Sequence, residues 1–446
     1  MTRSSTSFPH SLRSTAGNPL LGCLSAPGDK SISHRALILG ALASGRTEIT
    51  GLLESDDVLA TARAIAGLGA GIDHIAPGHW VVSGTSGQFA QAATPLDLGN
   101  SGTGVRLLMG AIAGAGGQAM LTGDSSLTAR PMARVIDPLK QMGADILSAD
   151  GKLPVKMAPA ALRAITYALP VASAQVKSAL LLAALGAEGE TRIVESRPTR
   201  DHTERMLPLF GGSVSVTAQD GDTHIALSGP QSLKGTAITI PGDPSSAAFA
   251  TVAALLVPGS DITITGMMDN PARGGLYHVL ARMGANITVK PAGHGAGESL
   301  IDMSVKTSAL HGIDLEDEIV PSMIDEYPVL AVAAAFADGE TRLRGLGELR
   351  AKESDRLAGT AALLMANGVK AVIEGDDLII EGRSPASIPG GGTVHTHGDH
   401  RLAMSGLVMG LASRAPVTVD EATMIATSYP GFVADMLTLG AKVEAA

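Results

Sequence analysis

Ile65-Ala66-Gly67-Leu68-Gly69-Ala70-Gly71-Ile72 closes a run of helix formers with glycine and passes at once to a β-branched residue. Glycine at position 69 reads as a left-handed helix cap, and the β-branched residue behind it as the start of a strand. The same pattern ends at Gly143, Gly211, Gly284, Gly368 and Gly440, at intervals of about 70 to 85 residues. Four positions before the glycines stand Ile65, Leu139, Leu207, Leu280, Leu364 and Met436. Three positions after them stand Ile72, Ile146, Val214, Ile287, Ala371 and Val443, five of which are β-branched. Six copies of one helix-glycine-strand unit imply internal duplication.

A second pattern runs in phase with the first. A polar loop opens an apolar helix, read over Ile32 to Leu42, Val105 to Ile112, Val176 to Leu185, Phe249 to Val257, Val329 to Phe336 and Leu402 to Leu411. These stretches are apolar on nearly every face, so each is expected to be a buried helix covered by sheet, since a surface helix would alternate at period 3.6. Units of this length exceed the roughly 20 to 50 residues of a solenoid repeat. The fold class is therefore α/β (α+β), with two domains, each of three repeated βαβαββ-type units, meeting near Pro241.

With 446 residues, 45% of them hydrophobic, the chain can fill more than one core. Aromatic residues are only 2%, so close approach of helix and sheet through the 54 glycines and many alanines replaces ring packing. A formal net charge of -10 argues against general affinity for nucleic acid or an anionic membrane. Cys23 is the one cysteine, which excludes an internal disulfide framework and suits a reducing compartment, here the cytoplasm. No apolar run approaches the roughly 18 residues of a membrane span. The first 18 residues, with Arg3 and Arg13 but no acids, read as a disordered tail, because they lack the amphipathic period of a transit peptide.

Chemistry is expected where the repeats depart from one another. Loops opening the helices need only small and polar residues, yet several carry charge: Gly28-Asp29-Lys30-Ser31-Ile32-Ser33-His34-Arg35, Asp325-Glu326-Tyr327 and Asp399-His400-Arg401. Others read Gly99-Asn100-Ser101-Gly102-Thr103 and Ser173-Ala174-Gln175-Val176-Lys177. Further cations stand at Ser126 to Pro131, Arg200-Asp201-His202 and Lys352-Glu353-Ser354-Asp355-Arg356. Free N–H groups of converging helix openings, together with these cations, would make an anion site. Plain helix capping also explains Gly99 to Thr103, and i,i+3 and i,i+4 ion pairing also explains Lys352 to Arg356. Lys30 and Arg35, by contrast, oppose the helix dipole, a local penalty that favours function. Gly28 to Ser31 lacks the earlier glycine of a Walker loop. His395, His397 and His400 lack an evident fourth ligand for a metal.

Eight of these motifs occur in order: Pro27 to Arg35, Leu98 to Arg106, Leu127 to Met132, Pro170 to Lys177, Arg200 to Glu204, Ser322 to Pro328, Lys352 to Arg356 and Asp399 to Arg401. On them the chain resembles the EPSP synthase family, the 5-enolpyruvylshikimate-3-phosphate synthases of the shikimate pathway, from about Leu20 onward. The resemblance implies a domain of residues 28–241 and a second of 1–27 with 242–446, the N-terminal strand joining the latter, and hinges near Pro27 and Pro241. It implies transfer of the enolpyruvyl group of phosphoenolpyruvate to the 5-hydroxyl of shikimate 3-phosphate by a monomer with no metal or organic cofactor. Two like charges about 4 Å apart repel by about 4 kcal/mol at an effective dielectric near 20, so joining two such anions demands several cations.

By position in the family pattern, Lys30, Ser31, Arg35, Ser173, Ala174, Gln175, Arg200, Asp325 and Lys352 are implied to hold shikimate 3-phosphate. Lys30, Asn100, Gly102, Arg130, Gln175, Arg356 and Arg401 are implied to hold phosphoenolpyruvate. Asp325 is implied as the base, Glu353 as the acid, and Lys30 as a participant in catalysis. The chain looks like the second, glyphosate-tolerance-associated class, with departures. Thr427 stands where many members place a lysine, Gly102 where tolerant members carry alanine, and Ala272 where that class shows threonine. Two alternatives stay open: the related enolpyruvyl transferase acting on a UDP-amino sugar, which uses a loop cysteine where this chain has Ser126 to Pro131, and a non-enzymatic repeat scaffold encircling DNA, which the acidic balance opposes.

Overall fold

All six cap glycines adopt the left-handed conformation, with φ of 100° at Gly69, 101° at Gly143, 78° at Gly211, 95° at Gly284, 80° at Gly368 and 99° at Gly440. Each closes its helix in the same way. The residue after the glycine donates its N–H to the carbonyl of the apolar residue four places before it, as in Ala70 to Ile65, Ala144 to Leu139 and Val369 to Leu364, at 3.0–3.1 Å. That bond is the Schellman closure, which satisfies a carbonyl the helix end leaves open. The computed structural model describes residues 9–383 and 387–446.

Among the described residues there are six four-stranded sheets of one topology. In one, Leu96–Asp97 runs parallel to Ala119–Thr122, which pairs antiparallel with Val155–Ala158, which in turn pairs with Asp145–Ser148. The helix Gly102–Gly114 connects the parallel strands, and Ala133–Gln141 leads to the hairpin, giving the order βαβαββ. The chain divides into two compact units, one of Met1–Pro27, Gly242–Gly293 and Ser299–Ala446, the other of Gly28–Pro241 with His294–Glu298. Each holds three inner helices in mutual contact: Lys30–Leu42, Gly102–Gly114 and Ala174–Ala184 in the unit built on Gly28–Pro241, and Pro244–Leu256, Tyr327–Ala335 and His400–Ala412 in the other.

Burial explains the all-round apolar character of these helices. Every residue of Pro244–Leu256 is buried, and Leu37, Ile38 and Leu39 are 0% exposed, each contributing about 1.5–3 kcal/mol by leaving water. Small residues set the spacing between helices: a Cβ on Gly110 would lie 2.1 Å from the carbonyl oxygen of Ala179, so only glycine permits this approach.

The tripeptide Pro-Gly-Asp marks both crossings between units. Asp29 N donates to Pro241 O at 2.8 Å within one unit, and Asp243 N donates to Pro27 O at 2.7 Å within the other. Each Asp then caps the helix behind it, Asp29 Oδ1 accepting from Ile32 N and Asp243 Oδ1 from Ser245 N.

The N-terminal tail expectation is corrected in part. Residues 1–8 lie outside the described residues, but Leu12–Thr15 is a strand, antiparallel to both Val417–Val419 and Lys442–Ala445. It sits between them and completes the last sheet. Leu12 and Ser14 point inward, at 2% and 0% exposure, which is the period-two burial of a sheet strand. No helix among the described residues is long and apolar enough to cross a membrane.

Candidate active site

In the unit built on Gly28–Pro241, hydrogen bonds join the opening turns of the second and third inner helices, and Arg35 ties the first inner helix to the third. Their caps are the small polar residues expected: Ser101 Oγ accepts from Gly104 N at 3.1 Å and Ser173 Oγ from Val176 N at 3.4 Å. Capping and function therefore coincide, since the cap fixes the loop that carries the charged side chains. Gln175 bridges two of the helices, Nε2 donating to Thr103 Oγ1 and Oε1 accepting from Arg106 Nη1, both at 2.9 Å. Arg130, 8% exposed, donates from Nη2 to Asn100 Oδ1 at 2.6 Å and to Ser126 Oγ at 3.1 Å. A Cβ on Gly102 would lie 3.0 Å from Arg130 Nη1. The expected residues Asn100, Gly102, Arg130 and Gln175 thus form one hydrogen-bonded neighbourhood.

Lys30 opens the first helix and pairs with Asp57 Oδ2 at 2.9 Å, which offsets the penalty of a cation at a helix start. Below it His34 is buried, its Nδ1 2.8 Å from Thr61 Oγ1. Burial first, then the charges of Lys30 and Arg35, hold the His34 imidazole well below its ordinary pKa, so the ring is neutral. Arg35 reaches Ser31 O, Ser178 Oγ and Thr203 Oγ1. Ser173 and Ala174 open the third helix. Arg200, partly buried, stands on the loop leading into His202–Met206. That loop is anchored by Lys177, whose buried Nζ lies 2.7 Å from Glu204 Oε1 and 3.1 Å from Glu195 Oε1.

The other unit gathers a second set around Arg356, which is 1% exposed at the start of Arg356–Ala366. Its Nε pairs with Asp399 Oδ2 at 2.8 Å, Nη1 with Asp325 Oδ1 at 3.1 Å and Nη2 with Glu353 Oε2 at 2.5 Å. Burial lowers its proton affinity, but Asp399, Glu353 and Asp325 outweigh that effect and hold it above the ordinary arginine value. Lys352 Nζ lies 3.4 Å from the same Asp325 oxygen. Arg401 donates to the Asp325 carbonyl at 2.9 Å and pairs with Glu326 Oε1 at 3.3 Å. Asp325, Lys352, Glu353, Arg356 and Arg401, spread over three loops in sequence, are therefore one cluster.

Several partners escaped the sequence reading. Asp57 and Ser178 carry no local signal beyond ordinary helix residues, while Thr203, Glu326 and Asp399 lie within quoted motifs but have no role of their own there. Thr427, at the position where a lysine is usual, is 8% exposed, its Oγ1 donating to Met424 O at 2.8 Å and lying 3.5 Å from His400 Nδ1. The three histidines weighed as metal ligands include His395 on Asp420 at 2.8 Å and this buried His400. Asp201, His202 and Glu298 have donor atoms within 4.8 Å of one another. Arg205 Nε already lies 2.7 Å from Asp201 and 3.5 Å from Glu298, supplying the positive charge there.

Known proteins resemble the whole chain. A relative from Maricaulis maris called 3-phosphoshikimate 1-carboxyvinyltransferase is 55% identical, covering 100% of this chain and 99% of its own. One of the same name from Methylobacterium radiotolerans is 53% identical over 98% of this chain and 99% of its own. The solved structure of EPSP synthase from Acinetobacter baumannii superposes with a TM-score of 0.85 at 40% identity, covering 98% of this chain and 100% of that one. The enolpyruvyl transferase NikO from Streptomyces tendae shares the fold, with a TM-score of 0.77 at 20% identity. With the family model for EPSP synthase (3-phosphoshikimate 1-carboxyvinyltransferase) matching residues 14–436 as well, the chain belongs to the EPSP synthase family.

Proposed function

We propose that this chain is a 3-phosphoshikimate 1-carboxyvinyltransferase, moving the enolpyruvyl group of phosphoenolpyruvate to the 5-hydroxyl of shikimate 3-phosphate with release of phosphate. The observation that carries the reading is the ion pairing of two carboxylates, Asp325 and Glu353, with the one buried Arg356. The product keeps the carbon–carbon double bond and exchanges a phosphate oxygen for the sugar-like oxygen. The hydroxyl therefore adds across the double bond, and phosphate then leaves with a proton from the new methyl group. Asp325 takes the hydroxyl proton, and Glu353 delivers a proton to the methylene carbon.

Arg356 and Arg401 take the carboxylate of phosphoenolpyruvate, Arg130 its phosphate, and Lys30, Asn100, Gly102 and Gln175 complete that subsite. Lys30, Ser31, Arg35, Ser173, Ala174, Gln175, Arg200, Asp325 and Lys352 hold shikimate 3-phosphate. Because Arg356 spends its fork on Asp325, Glu353 and Asp399, a substrate carboxylate competes with the first two for it. Carboxylates released from an arginine become stronger bases, so binding itself prepares the proton transfers. The crossings at Pro27 and Pro241 serve as hinges. The reading takes the protein as a cytoplasmic monomer acting on two small anions, with no metal, organic cofactor, nucleic acid or membrane.

Phosphate release from phosphoenolpyruvate tests the proposal, measured with shikimate 3-phosphate, with UDP-N-acetylglucosamine, and with neither. Release only with shikimate 3-phosphate is expected. Release that ignores the acceptor, or that follows the UDP-sugar, overturns it.

A further inference from the structure

Arg35 projects from the second turn of Lys30–Leu42 and is 3% exposed. Its Nε donates to Thr203 Oγ1 at 2.8 Å, its Nη2 to Ser178 Oγ at 2.6 Å and its Nη1 to Ser31 O at 2.9 Å. The two hydroxyls are themselves joined, Thr203 Oγ1 donating to Ser178 Oγ at 2.9 Å. Ser178 is 0% and Thr203 1% exposed, so water does not compete for these bonds. One guanidinium and two hydroxyls thus tie together three helices of one unit: Lys30–Leu42, Ala174–Ala184 and His202–Met206.

A guanidinium is planar, and its Nε and Nη2 hydrogens project from the same edge. Acceptors for both fix the plane and its rotation together, which a single acceptor does not. Hydroxyls accept without bringing a negative charge, so this orientation is achieved by groups that do not cancel the cation. The helices that supply them matter equally. Ser173, Ala174 and Gln175 stand at the opening of the helix that bears Ser178, and Arg200 stands just ahead of the helix that bears Thr203.

We propose that Thr203 and Ser178 are positioning residues that aim Arg35 at the carboxylate of shikimate 3-phosphate and hold it in register with the groups that bind the phosphate of the same molecule. The inference rests on the function proposed above and names residues that act on substrate only through Arg35.

Thr203→Val removes the hydroxyl at nearly constant shape, and Thr203→Ser retains it. Steady-state kinetics with each substrate varied in turn, beside thermal denaturation, distinguish positioning from plain structural support. Losing a hydrogen bond to a charged group should raise the KM for shikimate 3-phosphate by roughly 10- to 100-fold in Thr203→Val. The KM for phosphoenolpyruvate and kcat should stay close to wild type, and Thr203→Ser should restore the KM. An unchanged KM for shikimate 3-phosphate in Thr203→Val overturns the proposal, as does a fall in kcat with both KM values unaltered. If that variant does not fold, Ser178→Ala is read by the same criteria. A wild-type protein without shikimate 3-phosphate-dependent phosphate release instead refutes the reaction assignment, so the two failures are distinct.

Discussion

Replacing Gly102 by alanine should separate substrate from inhibitor at the phosphoenolpyruvate subsite. Gly102 begins the helix Gly102–Gly114 and does not lie in the left-handed region, so alanine is tolerated by the backbone and favours helix by up to about 1 kcal/mol. The new methyl carbon would sit 3.0 Å from Arg130 Nη1, 3.1 Å from Arg106 Nη1 and 3.7 Å from Leu127 Cδ1. Ordinary contact begins near 3.5 Å, so both guanidinium ends must retreat by a few tenths of an ångström. Arg130 has little room, because Asn100 Oδ1 and Ser126 Oγ hold it at 2.6 and 3.1 Å. A displacement of that size forfeits a fraction of a charged hydrogen bond, about 0.5–1 kcal/mol, so the KM for phosphoenolpyruvate rises about 2- to 5-fold. Glyphosate is longer, so in the proposed subsite it would meet the methyl itself, and overpacking would add about 1–3 kcal/mol. Its inhibition constant should therefore rise roughly 10- to 1000-fold, while the wild type, with glycine, is inhibited readily. Phosphate release at fixed shikimate 3-phosphate, titrated with glyphosate, measures both. Superimposed inhibition curves for the two proteins would refute the steric reasoning.

The remaining expectations concern charge. Glu353→Gln keeps the shape of the acid but cannot deliver its proton, so binding of both substrates should persist while turnover falls by about 100-fold or more; near-normal turnover rejects the role. Lys177→Met strands Glu195 and Glu204 in the interior and should destabilise the fold by about 3–5 kcal/mol in urea unfolding, a loss below about 1 kcal/mol counting against the triad. Burial raises the proton affinity of Glu204 in the folded protein, against the pull of Lys177, and its Oε2 finds no hydrogen-bond partner among the described residues. A raised folded-state pKa contributes stability that is fully present below the unfolded carboxylate value and is lost as pH rises through the folded one. Glu204→Gln should therefore gain stability over wild type as pH climbs out of the ordinary carboxylate range. A difference that is constant with pH would show that Glu204 does not titrate in this way.

What could be read in advance follows from how local each signal is. A left-handed cap at Gly69 depends on its own backbone and the preceding turn, so six such glycines announced six modules wherever the chain later placed them. Leu12–Thr15 is the opposite case. Four residues with period-two burial become a strand only through partners such as Val419 and Ala445, more than four hundred positions away, so nothing nearby distinguished them from a tail. The cations of the site stood out because Lys30, Arg356 and Arg401 break the rule that helix openings are small and polar. The partners Asp57 and Asp399 of Lys30 and Arg356, and Thr203 beside Arg35, did not, since acids and hydroxyls at helix starts are what capping and the dipole already predict.

The strand Leu12–Thr15 has a consequence for how the protein is made. It leaves the ribosome some four hundred residues before the neighbours that receive it, Val417–Val419 and Lys442–Ala445. The continuous stretch Gly28–Pro241 holds its three inner helices and the strands of its three sheets before anything beyond Pro241 exists, and can mature during translation. Leu12–Thr15 must therefore wait, unpaired, until segments some four hundred residues later are made, so synthesis that halts in between leaves an adhesive strand without its slot.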